Sequence, residues 1–112
     1  MIQSVAFIGL GAMGYRMAAH LPQHFDTVYV WNRNFAKAEQ HAAEYATQAV
    51  ELEQAVQADV IFSCLPTSQD VENLLDGLSL KAGSIWVDCT SGVPDSAKKV
   101  AAQLKAQQVD FL

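Results

Sequence analysis

The sequence contains no apolar run approaching the roughly 18 residues that a membrane-spanning helix needs. It contains no basic stretch either. Seven Lys and Arg stand against twelve Asp and Glu, a net charge of −5. No segment could track a phosphate backbone, so nucleic acid is not an expected partner. The N-terminus lacks the basic, apolar and small-residue succession of a secretory leader. Cysteine is scarce: Cys64 and Cys89 are the only two, too few for a disulfide framework. A reducing cytoplasm is the expected compartment. Charged residues make up only 17% of the 112 positions and hydrophobic ones 51%, a balance unlike that of a disordered chain. A chain of this length buries roughly 65% of its unfolded surface, enough for one core and one domain.

What is present alternates in type along the chain. Ile2–Ile8 is a short apolar run closed by Gly9, as suits a strand buried on both faces. Ala12–Leu21 carries helix formers, with Met13, Met17 and Leu21 on one row, and Pro22 ends it. Thr27–Trp31 is β-branched and aromatic, a second strand. The turn Asn32-Arg33-Asn34 leads into an alanine-rich helix over Phe35–Tyr45. Thr47–Val50 reads as a short third strand or an extended loop, and Glu51–Gln57 as a brief helix. A fourth strand, Asp59–Cys64, is halted by Pro66. Ser68 is the expected N-cap of a helix over Gln69–Asp76. Ser84–Asp88 makes a fifth strand, Pro94–Gln107 a helix and Val109–Leu112 a further strand. Strands alternating with helices predict an α/β fold: a doubly wound parallel sheet, the Rossmann fold, as a single cofactor-binding domain over 1–112.

Gly9-Leu10-Gly11-Ala12-Met13-Gly14 matches G-x-G-x-x-G. The hexamer alone is weak, but here a strand precedes it and a helix follows, as the dinucleotide-binding motif requires. Gly9 permits the tight turn, Gly11 a close backbone approach to a pyrophosphate, and Gly14 close helix–strand packing. The free N–H groups and the positive end of the helix dipole then hold the phosphates. The bland alternative is a glycine turn without a ligand.

The end of the second strand refines this. Domains preferring NAD usually carry Asp or Glu there for the ribose 2′-hydroxyl. This chain has Asn32 followed by Arg33 and Asn34. A missing carboxylate removes repulsion toward a 2′-phosphate, and a guanidinium can bind that phosphate with two hydrogen bonds. The expected cofactor is therefore NADP, with NAD less favoured. The same feature argues against S-adenosylmethionine. An ordinary exposed arginine in a turn is the alternative.

Gly9-Leu10-Gly11-Ala12-Met13-Gly14-Tyr15-Arg16-Met17 resembles the N-terminal signature of the β-hydroxyacid dehydrogenases, which include 3-hydroxyisobutyrate and 6-phosphogluconate dehydrogenases. Cys64-Leu65-Pro66 resembles that family's apolar-Leu-Pro turn after the fourth strand. Asp88-Cys89-Thr90-Ser91-Gly92-Val93-Pro94 resembles its Asp-x-Ser-Thr-x-x-Pro turn after the fifth. The resemblance covers essentially the whole chain. It implies that Leu65, Pro66 and Ser91 line the nicotinamide half of the cofactor, and that Thr90, Ser91 and Gly92 approach the substrate. Asp70 stands where relatives often have Asn near the cofactor. Plainer roles stay open: Pro66 also ends a strand, and Thr90 and Ser91 also suit a helix cap.

The resemblance implies an NADP-dependent oxidoreductase that moves a hydride between nicotinamide and a small 3-hydroxy acid or its semialdehyde. Its catalytic lysine, a general acid/base, is expected beyond Leu112, as is an all-helical second domain through which family dimers are largely held. The chain is thus expected to be an inactive fragment of a homo-oligomeric enzyme. Imine reductases, which lack that lysine, resemble the same segments and are the first rival. A non-catalytic nucleotide-binding module is the second. Lys37, Lys81, Lys98, Lys99 and Lys105 read as solvated, and no metal site is expected from His20 and His24. Trp31 and Trp86 are expected at the sheet margin, and Cys64 and Cys89 as small buried hydrophobes on adjacent strands.

Overall fold

The computed structural model describes residues 2–89 and 94–111. The apolar run after Gln3 forms β1 (Ser4–Ile8), all but its first residue buried. The β-branched runs form β2 (Thr27–Trp31), β4 (Val60–Ser63) and β5 (Ile85–Asp88), and the short strands β3 (Gln48–Ala49) and β6 (Asp110–Phe111) complete the set. Between them lie α1 (Ala12–His20), α2 (Phe35–Glu44), α3 (Leu52–Ala55), α4 (Ser68–Leu75) and α5 (Pro94–Ala106). Pro22 ends α1 by tightening the chain into one 3-10 turn, Leu21–Gln23. All strand pairs are parallel, in the order β3-β2-β1-β4-β5-β6. This is the Rossmann order, and the sheet is the doubly wound parallel one expected from the sequence.

The two sheet faces are covered by different helices. Phe7, Leu10 and Val30 pack with Ala18 of α1 and Ala38 of α2. Ala6, Ile8, Ile61 and Trp86 pack with Ala55 of α3, Val71 and Leu75 of α4, and Val100 and Leu104 of α5. Trp86 corrects one expectation: it is fully buried rather than marginal. Its indole N–H donates to Ser63 Oγ at 2.8 Å, and Ser63 donates in turn to Asp88 Oδ1 at 2.9 Å. A buried indole needs such a partner, and the serine one strand away supplies it. Met13 is a second departure. Met17 and Leu21 join the core as the helical row predicts, but Met13 in the first turn is 64% exposed.

The cap of α4 is Thr67, not Ser68. The Thr67 hydroxyl accepts from Asp70 N–H at 3.2 Å, and Asp70 Oδ2 accepts from Thr67 N–H at 3.1 Å. This reciprocal box satisfies two amides that the helix leaves orphaned.

At the amino edge of the sheet, Asp59 Oδ2 accepts from Gln3 and Ser4 N–H at 2.8 and 3.2 Å, and its other oxygen pairs with Lys81. The Lys81 contact and the two backbone amides hold the Asp59 carboxyl down at about 2. Lys81 is therefore engaged, unlike the solvated lysine the sequence implied.

Candidate functional site

The strand register sets the site. Trp31, Ile8, Ser63 and Asp88 stand side by side in one row across β2, β1, β4 and β5. The next residue of each strand therefore leaves the sheet at the same carboxyl edge: Asn32, Gly9, Cys64 and Cys89. Between β1 and β4 the strand order reverses, and open α/β sheets bind ligands at that crevice.

A cleft of about 400 Å³ opens there. Gly9, Gly11, Ala12, Met13 and Gly14 form one wall, and Trp31, Asn32 and Arg33 the β2 side. Cys64, Leu65 and Pro66 after β4, with Asp70 and Leu74 of α4, form the opposite wall.

The three glycines have different reasons to be glycine. Gly9 has φ +100°, and a Cβ there would lie 2.2 Å from the Cys64 carbonyl oxygen. A Cβ on Gly14 would lie 2.2 Å from the Gly9 carbonyl oxygen. Both are required by the fold itself. A Cβ on Gly11 would meet nothing within 4 Å, so its missing side chain leaves open space on the cleft. Gly11 is also the N-cap of α1 and provides no side-chain acceptor, and no acidic residue occupies the first turn. The amides of Ala12, Met13 and Gly14 therefore have no intrahelical acceptor, and they lie at the positive end of the helix dipole.

Asn32 has a role that the sequence did not suggest. Its Oδ1 accepts from Leu10 N–H at 2.8 Å, and its Nδ2 donates to the Asn34 carbonyl at 3.1 Å. Leu10 is fully buried, with its side chain in the core beside Phe7. Its N–H is thus occupied by Asn32 rather than free for a phosphate, and Leu10 does not line the cleft. Asn34 is exposed and serves as N-cap of α2; it too is off the cleft wall. Arg33 lines the cleft, is exposed and makes no ion pair among the described residues. The other nine residues outside 90–93 that the sequence places at the cofactor line this one cavity, while Thr90, Ser91 and Gly92 lie outside the described residues.

A histidine that the sequence did not single out braces this arrangement. His41 of α2 is fully buried. Its Nε2 lies 3.0 Å from the Tyr15 carbonyl oxygen and its Nδ1 2.8 Å from Thr47 Oγ1. A carbonyl only accepts, so Nε2 carries the proton and Nδ1 accepts from the threonine. The Tyr15 ring meets the imidazole edge-on at 4.6 Å, and Lys37 Nζ lies 5.9 Å from the same ring. These contacts fix α1, which follows the glycine loop, against α2, which follows Arg33. Burial pulls the His41 pKa below its ordinary value.

Cys64 and Cys89 are free thiols, both half-buried, and Cys64 lines the cleft. Burial and then the Asp88 charge push the Cys64 thiol up. Asp70, of unassigned role in the sequence, turns out both to cap α4 and to border the cleft. No helix among the described residues is long and apolar enough to cross a membrane.

A parallel 3-2-1-4-5-6 sheet with a glycine loop at its switch point defines the class of dinucleotide-binding Rossmann domains. The chain belongs to one family within it: residues 4–112 match the family of the NAD binding domain of 6-phosphogluconate dehydrogenase. It is 37% identical over 103 residues to an NADPH-dependent reductive aminase of Aspergillus oryzae, covering 90% of this chain and 35% of that one. It is 34% identical over 117 residues to an NAD-dependent L-serine dehydrogenase of Pseudomonas aeruginosa, covering 99% and 39%. Among solved structures, the Mycobacterium tuberculosis 3-hydroxyisobutyrate dehydrogenase with L-serine superposes with a TM-score of 0.87 at 25% identity, over 99% of this chain and 39% of that one. The chain thus spans between 31% and 40% of the length of curated relatives it matches.

Proposed function

We propose that this chain binds NADP(H) and forms the nucleotide-binding part of an oxidoreductase acting on a small 3-hydroxy acid or its semialdehyde. The observation that carries the reading is the placement of Gly11 and Arg33 on one cleft. Gly11 leaves room for a phosphate beside unpaired helix amides. Arg33 offers an exposed guanidinium where a 2′-phosphate would extend from the ribose.

In this reading Gly11, Ala12, Met13 and Gly14 hold the pyrophosphate. Gly9 shapes the turn. Asn32 positions the loop through Leu10 and presents no negative charge to the 2′-phosphate, and Asn34 anchors the Asn32 amide. Leu65 and Pro66 form the apolar wall opposite the loop. Ser91 is placed with the nicotinamide half, and Thr90 and Gly92 with the substrate, on the resemblance alone. When bound, NADP(H) supplies the hydride, and the protein supplies position and proton transfer. The proton-transfer residue is expected beyond Leu112, in a homo-oligomeric enzyme that carries the helical domain. The cytoplasm remains the proposed compartment.

Titration calorimetry with NADPH, paired with Trp31 emission, tests the binding claim. Saturable heat with quenching that Trp31→Phe abolishes supports it; no heat contradicts it. The similarity to a reductive aminase favours a second reading, imine reduction on the same nucleotide domain. The gene sequence beyond Leu112 separates the two: a lysine in the following catalytic helix favours the hydroxy acid, and another residue there favours the imine.

A further inference from the structure

The two cysteines stand opposite each other where β4 and β5 leave the sheet. Ile85 pairs with Val60 and donates its N–H to the Asp59 carbonyl at 3.0 Å. Cys89 donates its N–H to the Ser63 carbonyl at 2.7 Å in the same pattern. It therefore extends the ladder one step past the Ser63 and Asp88 pair and faces Cys64. Side chains alternate along a strand. Phe62 and Val87, two residues back on each strand, pack against one cluster, and Cys64 and Cys89 share their face of the sheet. Neighbouring strands lie about 4.8 Å apart, inside the window of roughly 4.4–6.8 Å that a disulfide needs between its two Cα atoms.

We propose that Cys64 and Cys89 form a redox-modification site: a low-molecular-weight disulfide, such as oxidised glutathione, reacts with Cys64 from the cleft and is resolved by Cys89 into one intrachain disulfide. Cys64 is the entry residue because it lines the cleft, and Cys89 stands behind it, half-buried.

The exchange balances without any other reactant. The Cys64 thiolate attacks one sulfur of the glutathione disulfide. That S–S bond breaks, and one glutathione leaves with the electron pair. The Cys89 thiolate then attacks the Cys64 sulfur and displaces the second glutathione. The two thiol protons end on the two departing thiolates. Two protein thiols are oxidised and one external disulfide is reduced.

The resting pair is reduced. Burial first, then the Cys64 and Asp88 charges, push the Cys89 thiol up, and Cys64 is raised as well. Both therefore rest protonated, and closure is slow. A reversible pair of this kind suits a reducing compartment, where disulfides are transient. Closure ties the Leu65-Pro66 wall, next in sequence to Cys64, to the exit of β5.

The test equilibrates the unmutated chain, native and in urea, with reduced and oxidised glutathione. Iodoacetamide trapping, intact mass and peptide mapping then read the products. The native chain should lose two hydrogens, carry a Cys64–Cys89 linkage and return to two thiols with dithiothreitol. Its ratio of linked chain to glutathione adduct should exceed that in urea by at least about tenfold, because the strands hold the two thiols together. Cys89→Ser should stop at one glutathione on Cys64. In Cys64→Ser, Cys89 should take up glutathione at least about tenfold more slowly than Cys64 does in Cys89→Ser. Two glutathiones per native chain, two persistent free thiols, or a linked fraction no higher than in urea overturns the pair. Equal adduct rates in the two variants overturn Cys64 as the entry residue.

Discussion

The N–H of Leu10, inside the glycine loop, donates to the side-chain oxygen of Asn32 at the end of β2 across 2.8 Å. This bond ties the glycine loop to the end of β2. Asn32 is therefore chiefly a positioning residue. Asn32→Ala orphans a buried amide and should cost about 1–3 kcal/mol in chemical denaturation. Asn32→Asp keeps the acceptor for Leu10 but places charge beside Arg33 and loses the donor to Asn34. Its NADPH affinity should fall by more than its NADH affinity, read by calorimetry with both nucleotides.

The glycines should separate folding from binding. Gly9→Ala combines φ +100° with a 2.2 Å contact on backbone, and should cost upward of about 3 kcal/mol. Gly14→Ala, with its 2.2 Å contact on the Gly9 carbonyl, should behave alike. Gly11→Ala meets open space and should change stability by no more than about 1 kcal/mol. It should nonetheless lose most NADPH affinity, because the methyl occupies the phosphate's approach. Thermal melts beside binding isotherms on the three variants check this contrast.

Stability should fall on acidification in two windows. The folded His41 pKa lies below its ordinary 6.5, so below that pH the unfolded chain binds more protons and gains ground. His41 thus contributes fully above 6.5 and loses its contribution as pH falls through the folded value. Asp59 is lowered from 3.8 to about 2, so its contribution is present above 3.8 and disappears between there and 2. Urea midpoints across pH should show both declines. His41→Phe should flatten the first, and Asp59→Asn the second.

Ser63→Ala should cost about 1–3 kcal/mol by leaving the Trp86 indole N–H unpaired in the core. In Trp86→Phe the same serine substitution should cost much less, and a double-mutant cycle measures the difference.

The elements were legible because periodicity and turn residues encode them locally. Each strand appeared within a residue or two of its place, and the glycine loop fell on the expected strand–helix junction. Contacts distant in sequence were not legible. Trp86 looked marginal because nothing local reveals that Ser63 stands one strand away to accept its proton. Asp59 and Lys81, 22 positions apart, meet only once β4 and the turn before β5 are in place. His41 was hidden in an alanine-rich helix, though its spacing of three from buried Ala38 was a readable sign of an inward face. Thr67 and Ser68 are chemically interchangeable caps, and the Asp70 partner three residues on decides for Thr67. At the turn, the bonds that Asn32 makes were not readable: it takes the Leu10 N–H and the Asn34 carbonyl, 22 and 2 positions away.

The central claim, that this cleft holds NADP through Arg33, is tested most directly by measuring NADPH and NADH affinities side by side in the unmutated chain and in Arg33→Ala. NADPH should bind more tightly, by roughly 10- to 100-fold for a charged phosphate contact, and Arg33→Ala should erase most of that difference. Equal affinities for the two nucleotides in the unmutated chain would contradict it.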